Sequence, residues 1–182
     1  MNIDQMIYDT AIKQGFNPEA AKLIAAQARF ESADYTSSVF LANNNTSGMK
    51  FINQPNAVRG SLSSEGDYYA KFDTVQNAIN DKIVRLYNIN MRGVTPQQLK
   101  SSRNPDEFAR LLKQRGYYGN SAYGTSGAES DIRNYANGLK AKLFKINVLE
   151  FYNNNRNKIN YGTIGIVIIG ITLYVYYLKK KI

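Results

Sequence analysis

Apolar residues recur at helical spacing over most of the first 145 positions, with one strand-like interruption, and an unbroken apolar run follows near the end. Ile3, Met6 and Ile7 predict an amphipathic helix over about residues 3–14, ending at Gly15. Asn17-Pro18-Glu19 marks a second helix start: Asn as N-cap, Pro at the first helical position, an acid in the first turn. That helix is expected to run to about Ser32. At about 100° per residue, Ala20, Ala21, Ile24, Ala28 and Glu31 share one face. The stripe is mostly alanine, so another element can approach closely, and Glu31 stands at its inner edge in the last turn.

Ser37 or Ser38 can cap a short helix at Val39–Ala42, and Asn43 to Gly48 is turn chemistry, since Asn and Gly tolerate positive φ. Met49–Ile52 and Asp67–Phe72 are expected as strands, with Gly60–Gly66 as the loop between them. Asp73-Thr74-Val75-Gln76 is taken as a capping box opening a helix with Val75, Ile79, Ile83 and Leu86 inward. Thr95-Pro96 and Asn104-Pro105 start two more helices, the second carrying Phe108, Leu111 and Leu112. After a Gly/Tyr/Ser loop over Gly116–Gly127, a last amphipathic helix presents Ile132, Tyr135, Ala136, Leu139 and Leu143 on one face. The fold class is α+β, mostly helical, with a small β excursion. The domain is placed at residues 1–146, with no internal repeat.

Residues 147–158 are expected as a polar linker, culminating in Asn153 to Lys158. Ile159–Leu178 is then twenty residues without a charge, about 30 Å as a helix and long enough for a hydrocarbon core. Tyr161 near one end, Tyr174, Tyr176 and Tyr177 near the other, and Lys179–Lys181 beyond suit a transmembrane helix at 159–178 with a basic tail at 179–182. No G-x-x-x-G occurs in it, so no transmembrane dimer is expected.

The net charge of +9 sharpens this division. Residues 151–182 carry five basic residues and no acid, which leaves 18 basic against 14 acidic residues for the rest. No Lys/Arg cluster recurs on one element, so nucleic acid is not an expected partner. A mildly basic body suits an anionic polymer such as a cell wall. The chain has neither Cys nor His. That removes disulfides, thiol nucleophiles, His-dependent triads and His-rich zinc sites, and it leaves carboxylates, Lys and Tyr for acid–base work. No cofactor and no metal site are expected. Glu31 is the leading candidate: partial burial and the negative end of the helix dipole both act against negative charge there, which suits a general acid.

The ordered pattern Glu31-Ser32, Ser37, Asn43-Asn44 and Gly48-Met49-Lys50-Phe51 resembles the peptidoglycan β-N-acetylglucosaminidases of glycoside hydrolase family 73. Tyr69-Ala70-Lys71-Phe72-Asp73 before a helix with internal Asp81, then Gly116-Tyr117-Tyr118 and Asn134-Tyr135-Ala136, is similar to later family segments, so the resemblance spans roughly residues 20–143. It implies a lysozyme-like domain that cuts the β-1,4 bond after N-acetylglucosamine, with Glu31 as general acid. A second carboxylate would come from the β lobe, Glu65 or its rival Asp67. A family tyrosine near the cleft maps to Tyr117. Asn44, Gly48, Lys50 and Tyr118 are candidate substrate contacts. Two departures stand out: Ser47 where the family usually has Phe, and a Gly/Ser insertion at about 119–130. Lytic transglycosylases share the fold and the Glu-Ser helix end but continue with a different turn.

No secretory signal is recognised at Met1–Tyr8, and the Lys run lies beyond the span. Together these point to a phage particle with an internal membrane, in which lipid and capsid proteins are partners; a bacterial inner membrane is the alternative. A non-catalytic, membrane-tethered glycan binder or structural virion protein on the same fold is the competing function class.

Overall fold

The computed structural model describes residues 2–155, with side chains through Asn147. Helix α1 spans Ile3–Lys13 and α2 spans Pro18–Glu31. Asn2 and Asn17 cap them, the latter accepting from the Ala20 N–H at 2.7 Å. Helix α3 covers Ser38–Asn43, with Ser37 rather than Ser38 as its cap. Strands β1 (Ala57–Leu62) and β2 (Tyr68–Phe72) form an antiparallel hairpin, irregular between Arg59 and Leu62. Helix α4 (Val75–Asn80) passes into a π-helical segment, Asp81–Leu86. Then come α5 (Pro96–Lys100), α6 (Pro105–Gln114) and α7 (Ser126–Asn155).

Helix α2 is the axle of this arrangement. The alanine stripe predicts one buried face, yet Leu23, Ala25, Ala26 and Gln27 are buried as well, so the helix is covered nearly all round. Ile7 and Ala11 of α1, Phe108 and Leu112 of α6, and Ile132, Ala136 and Leu139 of α7 complete the main core. Phe30 of α2 lies so near Gly138 of α7 that a Cβ there would come within 2.5 Å of the ring. A second, small core of Ala70, Phe72 and Ala78 sits under the hairpin.

Three local expectations change. Met49–Ile52 is not a strand; it touches the sheet through one bridge, Lys50 to Tyr69, flanked by the bonds from Ala70 N–H to the Met49 carbonyl and from Phe51 N–H to the Tyr68 carbonyl, while the Asn45 side chain takes the Met49 N–H. The strand expected there forms instead at Ala57–Leu62, inside the stretch read partly as loop. Thr74 alone caps α4 through the Asn77 N–H; the reciprocal capping box is at Thr95 and Gln98. In the π-helical segment Tyr87 N–H donates to the Lys82 carbonyl at 2.9 Å, a five-residue span that takes one residue more than an α turn. The wider turn falls where Tyr87 becomes fully buried, while Leu86 is half-buried against the same core, as its spacing predicts.

The packed body is residues 1–146, and the backbone of α7 continues helical to Asn155, through positions read from composition as linker. No helix among the described residues is long and apolar enough to cross a membrane. The span expected at 159–178 and the tail at 179–182 lie outside the described residues.

Candidate active site

Glu31 is the last residue of α2, and its side chain is 14 % exposed. Beyond it the chain makes a left-handed turn through Ala33, Asp34 and Tyr35, with φ of 51°, 57° and 67°. Non-glycine residues resist this conformation, and side chains hold it here. Ser32 Oγ accepts from the Tyr35 N–H at 2.9 Å, and the Tyr35 hydroxyl donates to Asp4 at 2.7 Å. Arg29 spans Asp4 and Asp34. The carboxyl group therefore leaves the helix at a fixed point with a braced exit.

Four side chains meet that carboxyl group. The Tyr117 hydroxyl donates to Oε2 at 2.9 Å, and the Tyr135 hydroxyl donates to Oε1. Gln27 Nε2 donates to Oε1 at 3.1 Å, and Gln27 Oε1 accepts from the Tyr87 hydroxyl at 2.5 Å. The Lys82 ammonium, 2 % exposed, lies 3.6 Å from Oε2 and donates to Ser47 Oγ at 2.6 Å. Burial lowers the pKa of Lys82, with the Glu31 charge opposing. Burial first, and the Glu31 charge next, push the Tyr117 and Tyr135 hydroxyls well above the ordinary tyrosine value. Those phenols stay protonated and remain donors. The apolar surroundings expected for Glu31 are thus corrected: its helix face is Ala and Ile, but the facing elements bring an ammonium and hydroxyls.

Among the other sequence candidates, Tyr117 joins Glu31. Glu65 does not: it lies in the hairpin loop, 74 % exposed, and pairs with Lys50 at 3.0 Å. Asp67 is 3.9 Å from the same ammonium and equally solvated. Both are drawn to Lys50, whose Nζ also donates to Ser63 Oγ, because it projects from the chain beside β2. Among the described residues no second carboxylate bonds to the Glu31 group. Asp81 is occupied by Arg85. Asn44 is a turn residue with φ 52°, its amide donating to the Phe72 and Asp73 carbonyls, and Gly48 completes that turn with φ 59°. Tyr118 stacks on Tyr135 at 3.9 Å and donates to the Ala109 carbonyl, so it braces Tyr135. Among the described residues no cluster of acidic side chains could hold a metal ion.

Sequence reasoning missed Lys82, Gln27 and the role of Tyr135. The signal was present. At helical spacing both Lys82 and Gln27 fall within the apolar stripes of their helices, Lys82 three residues after Ile79 and Gln27 three after Ile24. Ser47, singled out as a departure, is the residue that holds Lys82.

The Glucosaminidase family, described as mannosyl-glycoprotein endo-beta-N-acetylglucosaminidase, matches residues 5–148. Among curated proteins no sequence matches. The catalytic domain of the autolysin Auto from Listeria monocytogenes is 18 % identical, with a TM-score of 0.53 and 82 % of each chain covered. A type VI secretion system effector–immunity complex from Pseudomonas protegens is 16 % identical, with a TM-score of 0.48, covering 77 % of this chain and 87 % of that one. At 18 % identity the likeness to the autolysin domain is one of fold. The family match, by contrast, is one of sequence and runs from within α1 into α7. The chain belongs to the Glucosaminidase family and is a glycosidase of the endo-β-N-acetylglucosaminidase type.

Proposed function

We propose that the protein cuts the β-1,4 glycosidic bond after N-acetylglucosamine in peptidoglycan, with Glu31 as the general acid. The observation that carries this reading is a single, mostly buried carboxyl group at a helix end, gripped by two tyrosine hydroxyls beside a buried ammonium. Tyr117 and Tyr135 fix the direction of the carboxyl group, which is what proton delivery to a bound oxygen requires. Glu31 in its acid form passes its proton to the glycosidic oxygen as the C1–O bond breaks. Water then adds its hydroxyl to C1, and the proton it releases returns to Glu31, with the Lys82 ammonium 3.6 Å away to offset the carboxylate charge in between.

The lone carboxylate equally suits the transglycosylase outcome, in which the bond cut is the one after N-acetylmuramic acid: the muramyl 6-hydroxyl bonds to its own C1 as the protonated glycosidic oxygen leaves. Mass analysis of digested peptidoglycan separates the two: a reducing N-acetylglucosamine end supports the hydrolase, and a 1,6-anhydromuramic end supports the transglycosylase. Glu31→Gln should abolish release while wall binding persists. Release at the parent rate by that variant would remove Glu31 from the role, and no release by the parent would favour the glycan binder.

We also propose that residues 159–178 lodge in a lipid bilayer, supported by their charge-free length and by the tyrosine and lysine flanks. The favoured setting is a phage particle with an internal membrane, the enzyme opening the host wall beside capsid proteins. Retention of the protein in membranes after alkaline carbonate washing is the expected result; release without detergent would refute the anchor.

A further inference from the structure

A pocket of about 290 Å³ is lined by Leu86, Met91, Arg92, Arg115, Gly116 and Tyr117. Its walls carry two guanidinium groups and no acidic side chain. Arg115 is 3 % exposed and makes no ion pair with a carboxylate among the described residues. Its Nη1 donates to the Ile89 carbonyl at 3.1 Å and its Nη2 to the Leu86 carbonyl at 2.7 Å. Burial lowers its pKa, opposed by Tyr87. The Tyr87 ring, 5.9 Å from its guanidinium carbon, is its other neighbour, so this buried charge is met by two carbonyls and a ring and by no carboxylate among the described residues.

Arg92, by contrast, is exposed. It sits in a tight turn closed by hydrogen bonds of 3.1 and 3.0 Å between Met91 and Val94, at a left-handed φ of 49°. Its guanidinium rests on Gly116, where a Cβ would fall 2.1 Å from Nη1, so a larger residue there would make the guanidinium shift. The third wall is Tyr117, whose hydroxyl is on Glu31. The pocket and the reaction centre therefore share one tyrosine.

We propose that this pocket is a carboxylate subsite that takes an acidic group of the peptide stem carried by the sugar next to the cleaved bond. The exposed Arg92 guanidinium offers a carboxylate its donors and Arg115 adds positive charge to the same pocket wall, while Leu86 and Met91 suit the aliphatic part of the stem. The inference rests on the peptidoglycan reading, and its test separates the two. The kcat/KM of the full chain is measured on glycan strands with stems, on strands with methyl-esterified stems, and on strands stripped of stems. The parent should prefer free-acid stems over both other substrates by about tenfold or more. Arg92→Glu should erase that preference, with the loss falling mainly in KM. Arg92→Gln should reduce it partially. Equal ratios in parent and Arg92→Glu would overturn the subsite, as would a parent indifferent to esterification. A parent that cuts none of the three overturns the peptidoglycan reading and the subsite with it.

Discussion

At the scale of single residues, the grip on Glu31 sets what each substitution should do. Glu31→Gln keeps the shape and most of the hydrogen bonds, so it should fold as the parent does while losing about 10²–10⁴-fold in kcat. Glu31→Asp withdraws the carboxyl group from Tyr117 and Tyr135, and misplacement on that scale costs about 10²-fold. Steady-state rates on purified wall, with circular dichroism as the control for fold, check both. Lys82 makes a second, thermodynamic prediction. Its folded pKa is lowered by burial, below its value in the unfolded chain. In the window between the two, the unfolded chain binds more protons, so stability rises with pH toward 10.5. Above about pH 10 the buried tyrosines reverse the trend, because their folded values are raised and the unfolded chain loses protons first. Lys82→Met should flatten the rising limb in melting curves taken between pH 7 and 10; an unchanged slope would place the charge elsewhere. Lys82 was legible as a stripe residue but not as a partner of Glu31. Periodicity reports which face a side chain occupies, and only packing reports what stands opposite.

At the scale of elements, the caps and helix starts were readable because their chemistry is local: Asn17-Pro18, Thr95-Pro96 and Asn104-Pro105 each open the helix they announce. The hairpin was misplaced because Asn45 makes its bonds across 25 residues, to the Ala70 carbonyl, and such a pairing leaves no local trace. The left-handed turn after α2 was also invisible, since nothing in Ala33-Asp34-Tyr35 announces positive φ on its own. Asp34 is its keystone. Burial works against its charge, but hydrogen bonds from Lys142, Arg29 and Lys145 outweigh that and draw its pKa down to about 2. The stabilisation is therefore complete above pH 3.8, the unfolded value, and is lost as pH falls toward 2. With the side chain 28 % exposed, Asp34→Asn should cost about 1–2 kcal/mol at neutral pH. Its melting temperature should sit several degrees below the parent at pH 6 and converge with it near pH 2. A gap that persists at pH 2 would mean a steric cause.

At the scale of the molecule, the packed body closes at Ile146, whose side chain still leans on the main core. A chain cut after Asn147 should fold and melt in one cooperative transition, because every buried residue of both cores precedes the cut. A cut after Leu143 removes the Ile146 contact together with Lys145, a partner of Asp34, and should melt lower. Calorimetry on the two chains decides. A broad, non-cooperative transition in the longer one would show that residues beyond 147 contribute to the fold.

The π-helical segment has an evolutionary corollary. It is one residue of surplus in an otherwise ordinary helix, and Val84, 43 % exposed, is a position where that surplus could be removed. Loss of one codon there would restore regular hydrogen bonding, yet it would swing Tyr87 away from Gln27 and loosen the chain of contacts that ends on Glu31. The lineage would gain a tidier helix and lose catalytic rate. Persistence of the irregularity in descendants would then record selection on the reaction, and its disappearance would mark a copy that has stopped cutting.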